Sequence, residues 1–236
     1  MVSVTQVLEY FQEPELVAWK LRTPKWKQIG ESAMRVGSAV DWLIQQDLRP
    51  SMDTIATLSK EEEAAMTNCL QAWQRFKVEH PLFHQTVSGV QTELTDGELV
   101  GHPDLEITEP ESETLAPEGA EREAGVYVYH PARWGIIDIK TSKAIQPKHW
   151  LQVAAYAWLQ ASNGQKQLVV PHNLSECFLG ILRLDKQTAQ YEYKEITEET
   201  VIRNEIEVFQ AYWKAYQHGE QIREVMRQLA EQEALE

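Results

Sequence analysis

The chain has 236 residues, with 22 Lys plus Arg against 36 Asp plus Glu, a formal net charge of −14. That length suits one sizeable domain, and the negative total argues against a broad basic surface. Two cysteines, Cys69 and Cys177, do not make a disulfide framework, a zinc knuckle or a four-cysteine iron–sulfur site. No apolar run is long enough to cross a bilayer, and the opening MVSVTQVLEYF lacks the basic stretch and apolar block of a secretory signal. The expected setting is soluble, reducing and cytoplasmic. The charge is uneven: residues 106–123 hold seven Glu and one Arg, net −6, while residues 16–38 carry net +4. A surplus of carboxylates is also what a divalent-cation site requires.

In chain order, residues 4–21 read as helix, with Leu8, Phe11, Leu16 and Trp19 on one face and Pro14 dividing it in two. A second helix is expected over 31–46. Ser59 followed by Glu62 is a capping box opening a third, which Pro81 stops. The period then shortens. Two strands, 86–95 and 98–107, are joined at Asp96-Gly97, a hairpin signal. Residues 109–125 read as an exposed acidic loop, 127–129 as a short strand and 135–141 as a buried one. A helix over 149–160 precedes a strand pair, 177–184 and 190–195, and 197–235 reads as polar helix. The expected class is α/β (α+β): one domain over 1–236, with a helical part (1–82), a sheet core (83–195) and C-terminal helices (196–236).

One constellation carries chemistry. Residues two apart on a strand share a face, so Asp138 and Lys140 point together while Ile137 and Ile139 point oppositely. Asp104 lies on the preceding strand, and neighbouring strands run about 4.8 Å apart. Two such carboxylates can share one hard cation, to which the Ile139 carbonyl could add an oxygen. Glu93 is placed to complete that shell. On the next helix Gln152 and Tyr156 are four apart and share a face, suited to gripping a phosphodiester backbone, with Thr141 and Ser142 at the strand's end.

These residues resemble the PD-(D/E)xK nuclease superfamily, most closely its RecB-type branch, which includes phage recombination exonucleases and the mitochondrial genome maintenance exonuclease. The branch pattern is G-x-x-D, then D-x-K-[ST], then Q-x-x-x-Y. This chain reads Gly101-His102-Pro103-Asp104, Asp138-Ile139-Lys140-Thr141 and Gln152-Val153-Ala154-Ala155-Tyr156. Its SVTQVLEYF…LVAWK opening is similar to that of the phage and mitochondrial members. The resemblance implies a restriction-endonuclease-like core, a central mixed sheet flanked by helices. It also implies a Mg²⁺- or Mn²⁺-dependent DNA exonuclease of repair or recombination, in a bacterium or a phage-infected cell. Asp104, Asp138, Ile139 and Asp41 would hold metal, Lys140 would be the catalytic cation and Glu93 an auxiliary acid. Gln152, Tyr156, Thr141 and Ser142 would bind substrate. The expected partner is DNA with a free end, with a homo-oligomer or a recombination protein as further partners, no membrane and no iron–sulfur cluster.

One position departs from the pattern. The branch has G-[ST]-x-x-H ahead of the sheet, with the His a metal ligand; this chain has Gly37-Ser38-Ala39-Val40-Asp41. An Asp can ligate Mg²⁺ or Mn²⁺ through oxygen, or mark a degenerate nuclease that binds DNA or a protein without cutting. Asp138 and Lys140 alone would be read as an ion pair, His102 as exposed, His149 as a helix cap, and the lysines of 20–27 as a solvated face. A glycoside hydrolase using Asp104 and Asp138 as its acid pair leaves Lys140 unexplained.

Overall fold

The computed structural model describes residues 1–11, 14–48, 57–81, 83–115, 127–130, 132–162 and 174–233. The chain opens with β1 (Val2–Ser3), α1 (Val4–Tyr10), α2 (Pro14–Arg22), α3 (Trp26–Leu48) and α4 (Lys60–Glu79). Ser3 caps α1 and Ser59 caps α4, each through a reciprocal capping box with Gln6 and Glu62. Glu62 is buried and paired to Arg35 at 2.6 Å, which ties α4 to α3. Then follow α5 (Phe83–Thr86), β2 (Val87–Val90), β3 (Leu94–Thr95), β4 (Leu99–Gly101), β5 (Leu105–Glu109), β6 (Ser112–Leu115), β7 (Tyr127–His130) and β8 (Arg133–Lys140). The chain ends with α6 (Pro147–Ala161), a 3₁₀ turn (Leu174–Glu176), β9 (Cys177–Leu184), β10 (Tyr191–Ile196) and α7 (Glu199–Glu233).

The central sheet has the order β10-β9-β8-β5-β2 and is mixed: β8 and β9 are parallel, the other pairs antiparallel. Parallel neighbours need a crossover, and α6 supplies it. The apolar runs of β8 and β9 alternate between two cores. Ile136, Leu179 and Ile181 pack with α1, α6 and α7, including Val153, Trp158 and Phe209. Ile137, Phe178 and Leu182 pack with α3 and α4, including Val40, Trp73 and Phe76. The fold is therefore α+β, with mixed sheets flanked by helices.

Two expectations are revised. The 86–95 and 98–107 hairpin divides between two sheets. The Asp96-Gly97 turn does form, with Gly97 at φ 92° and Asp96 Oδ1 accepting from the amides of Glu98 and Leu99. It joins only β3 and β4, which with β1 make a small separate sheet. Pro103 lacks an amide hydrogen, and Gln91 takes a left-handed φ of 50°, so neither strand continues. Within the stretch read as an acidic loop, β6 pairs antiparallel with β7; residues 116–126 lie outside the described residues.

Candidate active site

The β5–β8 register pairs Leu105 with Ile137 and Glu106 with Ile136. One step further, where the chain has left the ladder, Asp104 lies opposite Asp138. Its carboxylate takes the place of a strand partner: Oδ2 accepts from the Ile139 amide at 2.6 Å. Oδ1 accepts from Gln91 Nε2 at 2.5 Å, and the Gln91 amide donates to the Asp104 carbonyl at 3.2 Å. Gln91 thus clamps Asp104 by side chain and backbone. Its left-handed φ is a strained conformation for a non-glycine residue, of the kind that gathers at functional sites.

Asp138 is 2% exposed. Its Oδ2 is paired with Lys140 Nζ at 2.6 Å, and a carboxylate with two oxygens keeps acceptor capacity beyond that one contact. Lys140 Nζ donates to Gln152 Oε1 at 2.9 Å, and Gln152 Nε2 donates to the Tyr156 hydroxyl at 2.8 Å. Asp138, Lys140, Gln152 and Tyr156 form one chain of contacts from β8 to α6. Gly101 makes room for it, since a Cβ there would lie 2.6 Å from the Tyr156 ring.

A cavity of about 640 Å³ covers this cluster. Asp41, Asp104, Asp138, Ile139, Lys140 and Gln152 line it, with Thr141, Ser142 and His102. His102 is exposed, and Ser142 Oγ donates to the Ala144 carbonyl. Asp41 enters from α3, where Oδ2 accepts from Gln45 Nε2 at 3.0 Å. Two expected residues stand elsewhere. Glu93 is exposed beyond the end of β2 and does not line the cavity; Gln91, two residues earlier, holds Asp104 instead. Tyr156 is 4% exposed and packed in the α6–α7 core, so it reaches the cavity only through Gln152. Sequence reasoning also missed Lys186, which lines the cavity from the β9–β10 turn and donates to the Ala33 carbonyl. A lysine in a turn carries no pattern that would single it out.

The site is electrostatically loaded. Burial pushes the Asp104 carboxyl well above its ordinary range, and the charges of Asp138 and Asp41 push it further. Burial raises Asp138 while Lys140 opposes the shift. Burial raises Asp41 too, against its bond from Gln45, and Asp138 adds to the rise. Burial would lower Lys140, but Asp138, Asp104 and Asp41 together hold it above its ordinary value. Three carboxylates facing one ammonium favour a further cation. Among the described residues no three His, Cys, Asp or Glu side chains stand together as a ready metal cluster. A magnesium-type ion needs only one or two carboxylates besides waters and phosphate oxygens. Two carboxylates, Asp104 and Asp138, meet that smaller demand.

No protein-family model matches the chain, and no curated protein matches it. Among the described residues no helix is long and apolar enough to cross a membrane.

Proposed function

We propose that the chain is a metal-dependent deoxyribonuclease of the PD-(D/E)xK type, RecB-like branch, with its restriction-endonuclease-like core built on β5, β8, β9 and α6. One observation carries the reading: Asp104 and Asp138 lie opposite each other at the β5–β8 edge, with Lys140 held between Asp138 and Gln152. Asp104 and Asp138 would hold Mg²⁺ or Mn²⁺, helped by the Ile139 carbonyl and by Asp41. The bound ion supplies an acidified water and offsets charge on the phosphodiester. In hydrolysis the water oxygen bonds to phosphorus, the P–O bond to the leaving nucleoside breaks, and the released oxygen takes up a proton. Lys140 places its ammonium where negative charge grows on the phosphoryl oxygens. Gln152, anchored on Tyr156, fixes the direction of that ammonium. Thr141 and Ser142 border the cavity where the substrate backbone would lie. By resemblance the activity is exonucleolytic and serves repair or recombination.

A second reading, a degenerate nuclease fold that binds DNA or a protein, is favoured by Asp41 in the histidine slot and by the 2.6 Å Lys140–Asp138 contact. Digestion of end-labelled linear and closed-circular DNA in Mn²⁺, Mg²⁺ or EDTA separates the two. Metal-dependent loss of linear DNA alone is expected. Loss of circles as well would make it an endonuclease. Binding without cutting in either metal would establish the degenerate reading.

A further inference from the structure

The long helix α7 has two apolar faces that point in different directions. Over its first half Ile202, Ile206, Phe209 and Trp213 are buried in the core shared with α6. At about 100° per residue, that face would continue through Glu220, Glu224, Arg227 and Glu231. These charges are paired within the helix: Glu220 with Arg223 at 2.5 Å, and Arg227 with Glu224 at 2.8 Å and with Glu231 at 4.0 Å. The core face of α7 therefore ends as a solvated one.

The second apolar face lies about half a turn away, on the outward side of the helix. Val208, Ala215, Ile222 and Leu229 recur every seven residues, and Ala211 and Val225 follow the first and third of them by three. That is the a and d spacing of a coiled-coil seam, sustained over more than three heptads. His218 and Gln232 fill the other two d positions and lower its strength. Exposure of the large apolar members runs from 44% for Val208 to 54% for Val225, and the adjoining Met226 is 61% exposed. Tyr10 packs at Gly219 and under the Arg223 guanidinium, 4.8 Å from the ring. Every residue from Gln221 to Gln232 is nonetheless exposed. A helical end of that length with no buried face is marginal in water, so α7 gains stability when this seam is covered.

Charge decides what covers it. Beyond Lys214 the positions bordering the seam are Gly219, Gln221, Met226 and Gln228, all uncharged. A lipid surface calls for Lys or Arg along that border, and a charged partner calls for the opposite charge; the border offers neither. Two copies of a chain of net charge −14 repel over most of their surface. They can meet on a neutral apolar strip that is the same on both, as two-fold pairing requires. Such pairing buries both seams along about 36 Å of helix. We infer that α7 pairs with α7 of a second copy of this chain along Val208, Ala215, Ile222 and Leu229, giving a homodimer whose two cores lie on opposite sides of the helix pair. The inference goes beyond the nuclease reading and does not depend on it.

The test is sedimentation equilibrium of the full chain over a wide range of concentration, at low and high salt. Wild type is expected to pass from the mass of one chain to that of two, and to do so more readily at high salt, where the repulsion is screened. Ile222→Lys and Leu229→Lys alter side chains already exposed in the single chain. Each should raise the dimer dissociation constant by about thirtyfold or more, although each also lowers the net negative charge. Leu229→Ala, a gentler change, should raise it about tenfold. Glu231→Lys, a larger charge change on the opposite face, should leave it equal or lower. Melting curves verify the fold of each variant. One-chain mass at every concentration and salt, wild-type pairing by the lysine variants, or an equal loss in the Glu231 variant would overturn the inference. So would a wild type that stays single and floats with phosphatidylcholine vesicles, which would assign the face to lipid.

Discussion

Asp41→Asn tests the electrostatic account of the site without relying on activity. Asp41 faces the charge of Asp138 and is partly buried, and both effects raise its pKa. Its carboxylate accepts from Gln45 Nε2 at 3.0 Å, and the carbonyl oxygen of Asn can accept that bond in the same place. The substitution therefore removes a disfavoured charge and keeps the contact. Lys140 loses some attraction but retains Asp138 at 2.6 Å. A carboxyl whose folded pKa exceeds its unfolded value, about 3.9, binds more protons in the native state. Its penalty is absent below about pH 4, grows as pH rises through the folded pKa, and is complete above it. At pH 7 the variant should gain about 1 kcal/mol, or about 2–4 °C in Tm for a chain of this length. Thermal unfolding in EDTA from pH 3 to 8 measures it. A variant that melts lower than wild type at pH 7, or whose gain persists at pH 3, would refute the reasoning.

Four further outcomes follow from packing, hydrogen bonding and burial. Gly101→Ala puts a Cβ 2.6 Å from the buried Tyr156 ring and should cost about 1–3 kcal/mol in urea unfolding. Gly37→Ala, whose Cβ meets Thr141 Oγ1 at 3.5 Å, should be tolerated or gain about 0.5–1 kcal/mol of helix stability. Tyr156→Phe removes the acceptor of Gln152 Nε2; it should cost about 1 kcal/mol and, on the proposed nuclease reading, lower kcat at saturating DNA while leaving KM nearly unchanged. Burial raises the thiol pKa of Cys69 to about 11 and of Cys177 to about 12, so neither should react with a thiol reagent at pH 8 until guanidinium unfolds the chain.

Much of the framework is legible where local chemistry decides it. Ser59 with Glu62 caps α4, Pro14 opens α2, and the apolar β9 run marks a strand buried on both faces. The spacing of Asp138 and Lys140 placed both on one face because a strand repeats every two residues. What escaped the sequence depends on tertiary context. The strand ladder fails at Gln91 and Pro103, and that failure frees the Asp104 carboxylate to receive the Ile139 amide. Glu93 looked like the auxiliary acid because its charge is visible in sequence, whereas the residue that touches Asp104 is a neutral amide two positions earlier. Tyr156 shares a helix face with Gln152, but periodicity does not reveal that the packing of α6 buries its hydroxyl. Lys186 comes from a turn distant in sequence, brought near by the β8–β9 pairing.

The most direct test of the central claim is the single-turnover cleavage rate of labelled linear DNA in saturating Mn²⁺. Wild type is compared with Asp138→Asn and Lys140→Gln, each first shown to melt cooperatively. The account predicts that wild type cuts and that each substitution slows cleavage by about 10²-fold or more. Wild-type rates in either variant, or no cutting by wild type in any divalent metal, would contradict it.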